Sequence, residues 1–148
     1  MFNRGDAFIK IIFINIIIFM LVNLTGLFLF LFKSEALTVD YFVNLLSVPA
    51  TFNNLLTQPW SLFTYMFLHK DLWHLIGNLL LFLISGRLFE EFLGSKRLVA
   101  NYILSGLFGA LFYMLCYNVF PGLIEMKENT LPMLGASAAI FGIPGAFK

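Results

Sequence analysis

Long apolar runs separated by short polar intervals organise the chain. The first extends from Ile11 to Phe32, interrupted only by Asn15, Asn23, Thr25 and Gly26. As a helix it is long enough to cross a hydrocarbon core of about 30 Å. A secretory signal peptide would instead carry an apolar stretch of about 7 to 15 residues ahead of a small-residue cleavage site. The pattern therefore predicts a first span over residues 11–32, after a polar end at 1–10. A second span is expected over 72–92, closing in the charged stretch RLFEEFLGSKR, and a third over 98–120, closed by Pro121-Gly122, a helix stop and turn signal. Residues 121–134 read as a polar loop and 135–148 as the start of a fourth helix. That last piece, with Pro144 inside it, reaches about half-way across a bilayer. The predicted fold is thus all-α: a polytopic membrane helical bundle of about three full spans plus the start of a fourth.

Between the first two spans, residues 33–71 hold Pro49, Pro59 and the apolar clusters YFVNLL and WSLFTYMFL. A connection this long is expected to be partly ordered, as short interfacial helices whose Trp60 and Tyr65 rings lie at headgroup level. Composition reinforces the membrane reading. Sixty per cent of residues are hydrophobic, 19 are Phe, and only 11% are charged, against about a quarter charged in soluble proteins. A single Cys116 allows no internal disulfide framework. The net charge of +1, with no basic cluster beyond Lys96-Arg97, gives no footprint for nucleic acid. Arg4, Lys10, Arg87, Lys96 and Arg97 fall on one side of the membrane and Lys33, Lys70 and Lys127 on the other. This bias predicts a cytoplasmic amino terminus. His69, His74 and Ser137 would then share the opposite leaflet.

Four polar side chains stand out in this apolar background: His69, His74 and Asn78 in FLHKDLWHLIGNLL, and Ser137 in LGASAAIFG. His74 and Asn78 fall on one helix face about a turn apart. Both can donate hydrogen bonds toward one point, as a developing oxyanion requires in a site poor in bulk water. His69 belongs in the turn leading into that helix. Plainer readings compete. His74 and Asn78 could simply bridge neighbouring helices, and His69, His74 and Asp71 could bind a metal, although no further firm ligand has suitable spacing. Ser137 lies among Gly135, Ala136, Ala138, Ala139 and Gly142, small residues that let a neighbouring helix approach closely. Its hydroxyl could bond back to the carbonyl four residues earlier. The soluble-hydrolase pattern G-x-S-x-G is not matched, because Ala139 occupies its last position.

The combination of the His69, His74 and Asn78 spacing with Gly135-Ala136-Ser137 in a following span resembles the rhomboid family of intramembrane serine proteases. Trp60 in QPWSLFTYMFLH looks like the tryptophan of that family's first-loop motif, and Gly86-x3-Glu90-x3-Gly94 looks like its pattern at the cytoplasmic end of the second helix. The resemblance covers about Gln58 to Gly142. It implies a six-helix bundle with a water-accessible cavity, Ser137 as nucleophile, and His74 and Asn78 as oxyanion stabilisers. His69, Gly135, Trp60, Glu90 and Gly94 would be supporting. It also implies a serine-type endopeptidase that cleaves membrane-anchored protein substrates within the lipid bilayer, with no cofactor and no metal.

Two departures are mild: Ser61 follows Trp60 where many members have arginine, and Ala138 follows the serine where glycine is common. A third is chemical. The family's general base is a helix-six histidine, a position that falls after Lys148, and neither histidine here matches it. The polypeptide alone is therefore expected to cleave nothing. The alternatives are a non-catalytic rhomboid-like protein that binds transmembrane partners, or a truncated relic whose small-residue faces, Ser105-x3-Gly109 and Gly106-x3-Ala110, lack packing partners. The short, loop-poor form suggests a bacterial inner membrane.

Overall fold

The structure is a computed structural model that describes residues 7–32, 39–126 and 132–145. Among the described residues eight helices succeed one another: α1 (Ala7–Leu31), α2 (Val39–Leu46), α3 (Phe52–Thr57), α4 (Ser61–Thr64), α5 (Leu72–Leu93), α6 (Ser95–Val119), α7 (Pro121–Ile124) and α8 (Ser137–Gly145), with a 3-10 turn at Tyr65–Phe67 after α4. Three of them, α1, α5 and α6, are long and apolar enough to cross a membrane. They present large apolar side chains outward, Phe13, Trp73, Phe92 and Phe108 among them, which lipid rather than water accommodates. Among the described residues there is no strand, only the isolated bridge between Val48 and Met133. The protein is an integral, multi-pass membrane helical bundle.

α5 starts at Leu72 as expected, and other helix ends differ from the sequence expectation for local reasons. α1 begins at Ala7, ahead of Ile11, because its first amides find a distant partner. The Glu90 carboxylate accepts from the Ala7 N–H at 2.9 Å and the Phe8 N–H at 3.4 Å, satisfying donors that a helix start leaves open. The same oxygen accepts from the Ser95 hydroxyl at 2.5 Å. One carboxylate thus pins the starts of α1 and α6 to the end of α5. α5 and α6 are joined by Gly94 alone rather than by a loop. Its φ of +85° lets the chain reverse while its N–H bonds the Glu90 carbonyl at 2.9 Å, a conformation that favours glycine. α8 begins two residues later than expected, because Gly135, with φ +106°, precedes the helix as loop. Part of the expected 121–134 loop is the short helix α7, which Pro121 opens. The expected polar end at 1–10, loop 33–71, loop 121–134 and helix 135–148 each fall partly outside the described residues.

The interior forms where α1, α5, α6, α8 and the Tyr65–Phe67 turn meet, around Met66, Phe82, Leu98, Tyr102, Ile140 and Ile143. Small residues set the spacing. A Cβ added to Gly109 would lie 2.5 Å from the Ala138 Cβ, and one added to Gly142 would collide with the Ser105 side chain. α8 therefore lies on α6 at backbone contact distance. Met66 covers Gly106, and Ala110 is fully buried. The small-residue faces of α6 are accordingly filled, by α8 and by the first-loop turn, contrary to the expectation that they lack partners.

Candidate active site

α5 starts where Asp71, in extended conformation, accepts the His74 N–H on its carboxylate at 2.8 Å. This is an N-cap of ordinary kind, and it spends the Asp71 side chain on the backbone. Among the described residues no three His, Cys, Asp or Glu side chains gather as a metal-ligand group. The cap sets His74 in the first turn of α5, half-buried, and Asn78 one turn further in, buried. His69 lies just before the cap, 1% exposed, its ring centroid 5.1 Å from that of His74 and steeply inclined to it at 71°. Among the described residues neither ring nitrogen of His69 has a hydrogen-bond partner. Burial, and then the neighbouring His74, push the His69 imidazole down from 6.5 to about 4. The Phe67 carbonyl and Asp71 act in the opposite direction without offsetting it. His69 is therefore neutral at pH 7.

The serine arrives from the other side. The 132–136 segment is laced to the first loop by backbone bonds: Val48 N–H to Met133 carbonyl at 2.9 Å, Met133 N–H to Val48 carbonyl at 3.0 Å, and Gly135 N–H to Tyr65 carbonyl at 2.9 Å. This lacing presses Gly135 against α5. A Cβ built on Gly135 would stand 2.6 Å from His74 Nε2, 2.7 Å from its Cε1 and 3.5 Å from Asn78 Nδ2. Residues from two separate elements thus meet at one point. Ser137, half-buried, opens α8 just beyond it, where helix amides are free to donate. Asn78 Nδ2 is buried with no partner among the described residues, an arrangement that native structures seldom leave without a use. Chemically, an imidazole N–H and an amide N–H beside a serine-bearing helix start can stabilise negative charge on the oxygen of a carbonyl group whose carbon bonds to that serine.

The other singled-out residues lie elsewhere. Glu90 and Gly94 are at the far end of α5, in the junction already described. Trp60 is partly exposed, and its indole N–H donates to the Leu45 carbonyl at 2.9 Å, tying α4 to α2. Ser61 is fully buried, with no partner for its hydroxyl among the described residues. Tyr65 does not present its ring on the outer surface. It is fully buried, and its hydroxyl donates to the Gly106 carbonyl at 2.6 Å. Sequence reasoning placed it wrongly because an amphipathic ring suits an interface and a bonded interior equally well.

Comparison with known proteins gives this geometry a family. The profile described as Rhomboid domain matches residues 56–148. The chain belongs to the rhomboid family. It is similar to Rhomboid protein 1, mitochondrial, of Saccharomyces cerevisiae, 30% identical over 135 residues, which cover 91% of this chain and 34% of that one. It is also similar to Rhomboid-like protease 3 of Toxoplasma gondii, 36% identical over 88 residues, covering 60% of this chain and 29% of that one. Inactive RHOMBOID-like protein 8 of Arabidopsis thaliana is 32% identical over 89 residues, 60% of this chain and 22% of that one. The rhomboid chain thus spans about a third or less of the length of these relatives, whose names include both a protease and an inactive member. No solved structure matches it.

Proposed function

We propose that this rhomboid is the amino-terminal part of a serine-type endopeptidase that cleaves transmembrane-anchored protein substrates within the lipid bilayer. In this reading the Ser137 hydroxyl oxygen attacks the substrate carbonyl carbon and loses its proton to a base. The carbonyl oxygen becomes an oxyanion that accepts from His74 Nε2, Asn78 Nδ2 and the Ser137 N–H. Collapse of the intermediate breaks the peptide bond as the base returns its proton to the leaving amine, and leaves an acyl-serine for water to hydrolyse. The observation that carries the reading is the approach of Gly135 to His74 Nε2, with the Asn78 amide, unpaired among the described residues, alongside. No metal and no organic cofactor takes part.

His74 serves as donor here, and one imidazole does not readily serve as acceptor and donor together. His69 is buried beside His74 and matches the first histidine of the family motif, whose role is supporting. In this reading the proton acceptor is the helix-six histidine that the family resemblance implies, a role that neither His69 nor His74 matches by motif. The amino terminus faces the cytoplasm of a bacterial inner membrane and the site faces the opposite leaflet, in keeping with the distribution of Lys and Arg.

A second reading, a non-catalytic rhomboid that binds transmembrane partners, is favoured by one observation: a relative bears the name of an inactive member. The test is cleavage of a single-span membrane substrate by the whole protein in proteoliposomes. Cleavage that disappears in Ser137→Ala supports the protease. Partner binding without cleavage, unchanged in Ser137→Ala and Asn78→Ala, supports the second reading.

A further inference from the structure

Ser137 on α8 and the His74 and Asn78 pair on α5 belong to separate elements, and none of the three fixes the distance between α5 and the 133–137 segment. That distance is set from the first loop. Tyr65 is bonded at both ends. Its backbone carbonyl accepts Gly135 N–H at 2.9 Å together with Leu68 N–H at 3.1 Å, and its phenol donates to the Gly106 carbonyl on α6 at 2.6 Å. Tyr102 on α6 returns the contact, its hydroxyl donating to the Met66 carbonyl at 3.0 Å. Two tyrosines thus lock the Tyr65–Phe67 turn to α6 crosswise, with Met66 lying on Gly106 between them.

The phenol also reaches the seam that carries the serine helix. The point where a Cβ on Gly109 would sit is 3.4 Å from the Tyr65 hydroxyl and 2.5 Å from the Cβ of Ala138, the residue after Ser137. The hydroxyl therefore lies beside the contact between α6 and α8. An aromatic ring needed only for packing would carry no oxygen there, because a buried hydroxyl is costly unless bonded.

We propose that Tyr65 is a positioning residue for Ser137, an inference that rests on the protease reading above. Its carbonyl holds Gly135 against His74 while its hydroxyl anchors the same turn to α6, on which the serine-bearing α8 is packed. The tolerance is narrow, with His74 Nε2 only 2.6 Å from the Cβ position of Gly135. A displacement of about 1 Å in such a site costs on the order of 100-fold in rate.

The test uses the whole protein in lipid nanodiscs, wild type against Tyr65→Phe, which removes one oxygen and keeps the ring. Hydrogen exchange of the Gly135 amide is expected to quicken by about tenfold, with α1 amides unchanged. In cleavage assays kcat is expected to fall by about tenfold or more with KM within about twofold, since substrate binding is untouched. Tyr102→Phe, run in parallel, removes the returning bond and is expected to move both readings the same way, so that poor accumulation of one variant still leaves a decision. Unchanged Gly135 exchange in both variants overturns the clamp whatever the kinetics. A rate loss that follows the melting temperature, or that falls on KM alone, reduces Tyr65 to a packing residue. A wild type that cleaves nothing overturns the protease reading and with it the catalytic half of this inference, while the exchange data still judge the clamp.

Discussion

Gly135 has less freedom than any other residue near Ser137, because its φ of +106° disfavours L side chains and an added Cβ would meet His74 Nε2 at 2.6 Å. Gly135→Ala in the whole protein is expected to lower kcat about 100-fold while the melting temperature drops by only a few degrees. Activity within twofold of wild type would show that Gly135 is incidental. His69 makes a separate claim at this scale. Its imidazole is held down from 6.5 to about 4 by burial and by His74, so between those values the unfolded chain binds more protons than the folded one. Stability is therefore full above the upper value and is lost as pH falls through the window, by on the order of 3 kcal/mol. His69→Phe, which keeps a ring and removes the titration, is expected to flatten melting temperature against pH between 6.5 and 4; an unaltered slope would assign the acid sensitivity elsewhere. The His74 and Asn78 pairing was readable from spacing alone, since one helical turn separates them. Their approach to Gly135 was not, because three backbone bonds between distant loops create it and backbone bonds leave little trace in side-chain identity.

At the scale of elements, two junctions decide whether the spans assemble in register. Glu90 receives bonds from the start of α1 and from Ser95, and hydrogen bonds to a charged acceptor are worth about 1.5 to 3 kcal/mol. Glu90→Ala is expected to destabilise the bundle by about 2 kcal/mol, measured by denaturant unfolding in mixed micelles, with kcat of the folded fraction unchanged. A fall in kcat at constant stability would place Glu90 in the site instead. The contact of Gly109 with Ala138 is the second junction. Gly109→Leu overpacks it and is expected to cost about 1 to 3 kcal/mol and to lower cleavage by moving α8. The three long helices were plain in the apolar pattern, which a bilayer enforces. Their ends were less so. α1 starts early because of a carboxylate 83 residues away, and α5 passes into α6 through one glycine where a charged stretch suggested a loop. The first loop showed its order only in part, because the bond that buries Tyr65 has its acceptor on α6.

For the whole molecule, three apolar helices and the match over residues 56–148 make the chain a rhomboid membrane protein, while relatives named as protease and as inactive share its sequence. In the proposed reading, the choice between protease and inactive member for this chain rests on the chemistry of the Ser137 hydroxyl. The most direct test treats the whole protein in native membranes with a fluorophosphonate and locates the adduct by peptide mass spectrometry. A covalent adduct on Ser137 is expected, its formation slowed at least about tenfold in Asn78→Ala because the oxyanion loses a donor. No adduct on Ser137, or one formed equally fast without Asn78, would contradict the protease reading.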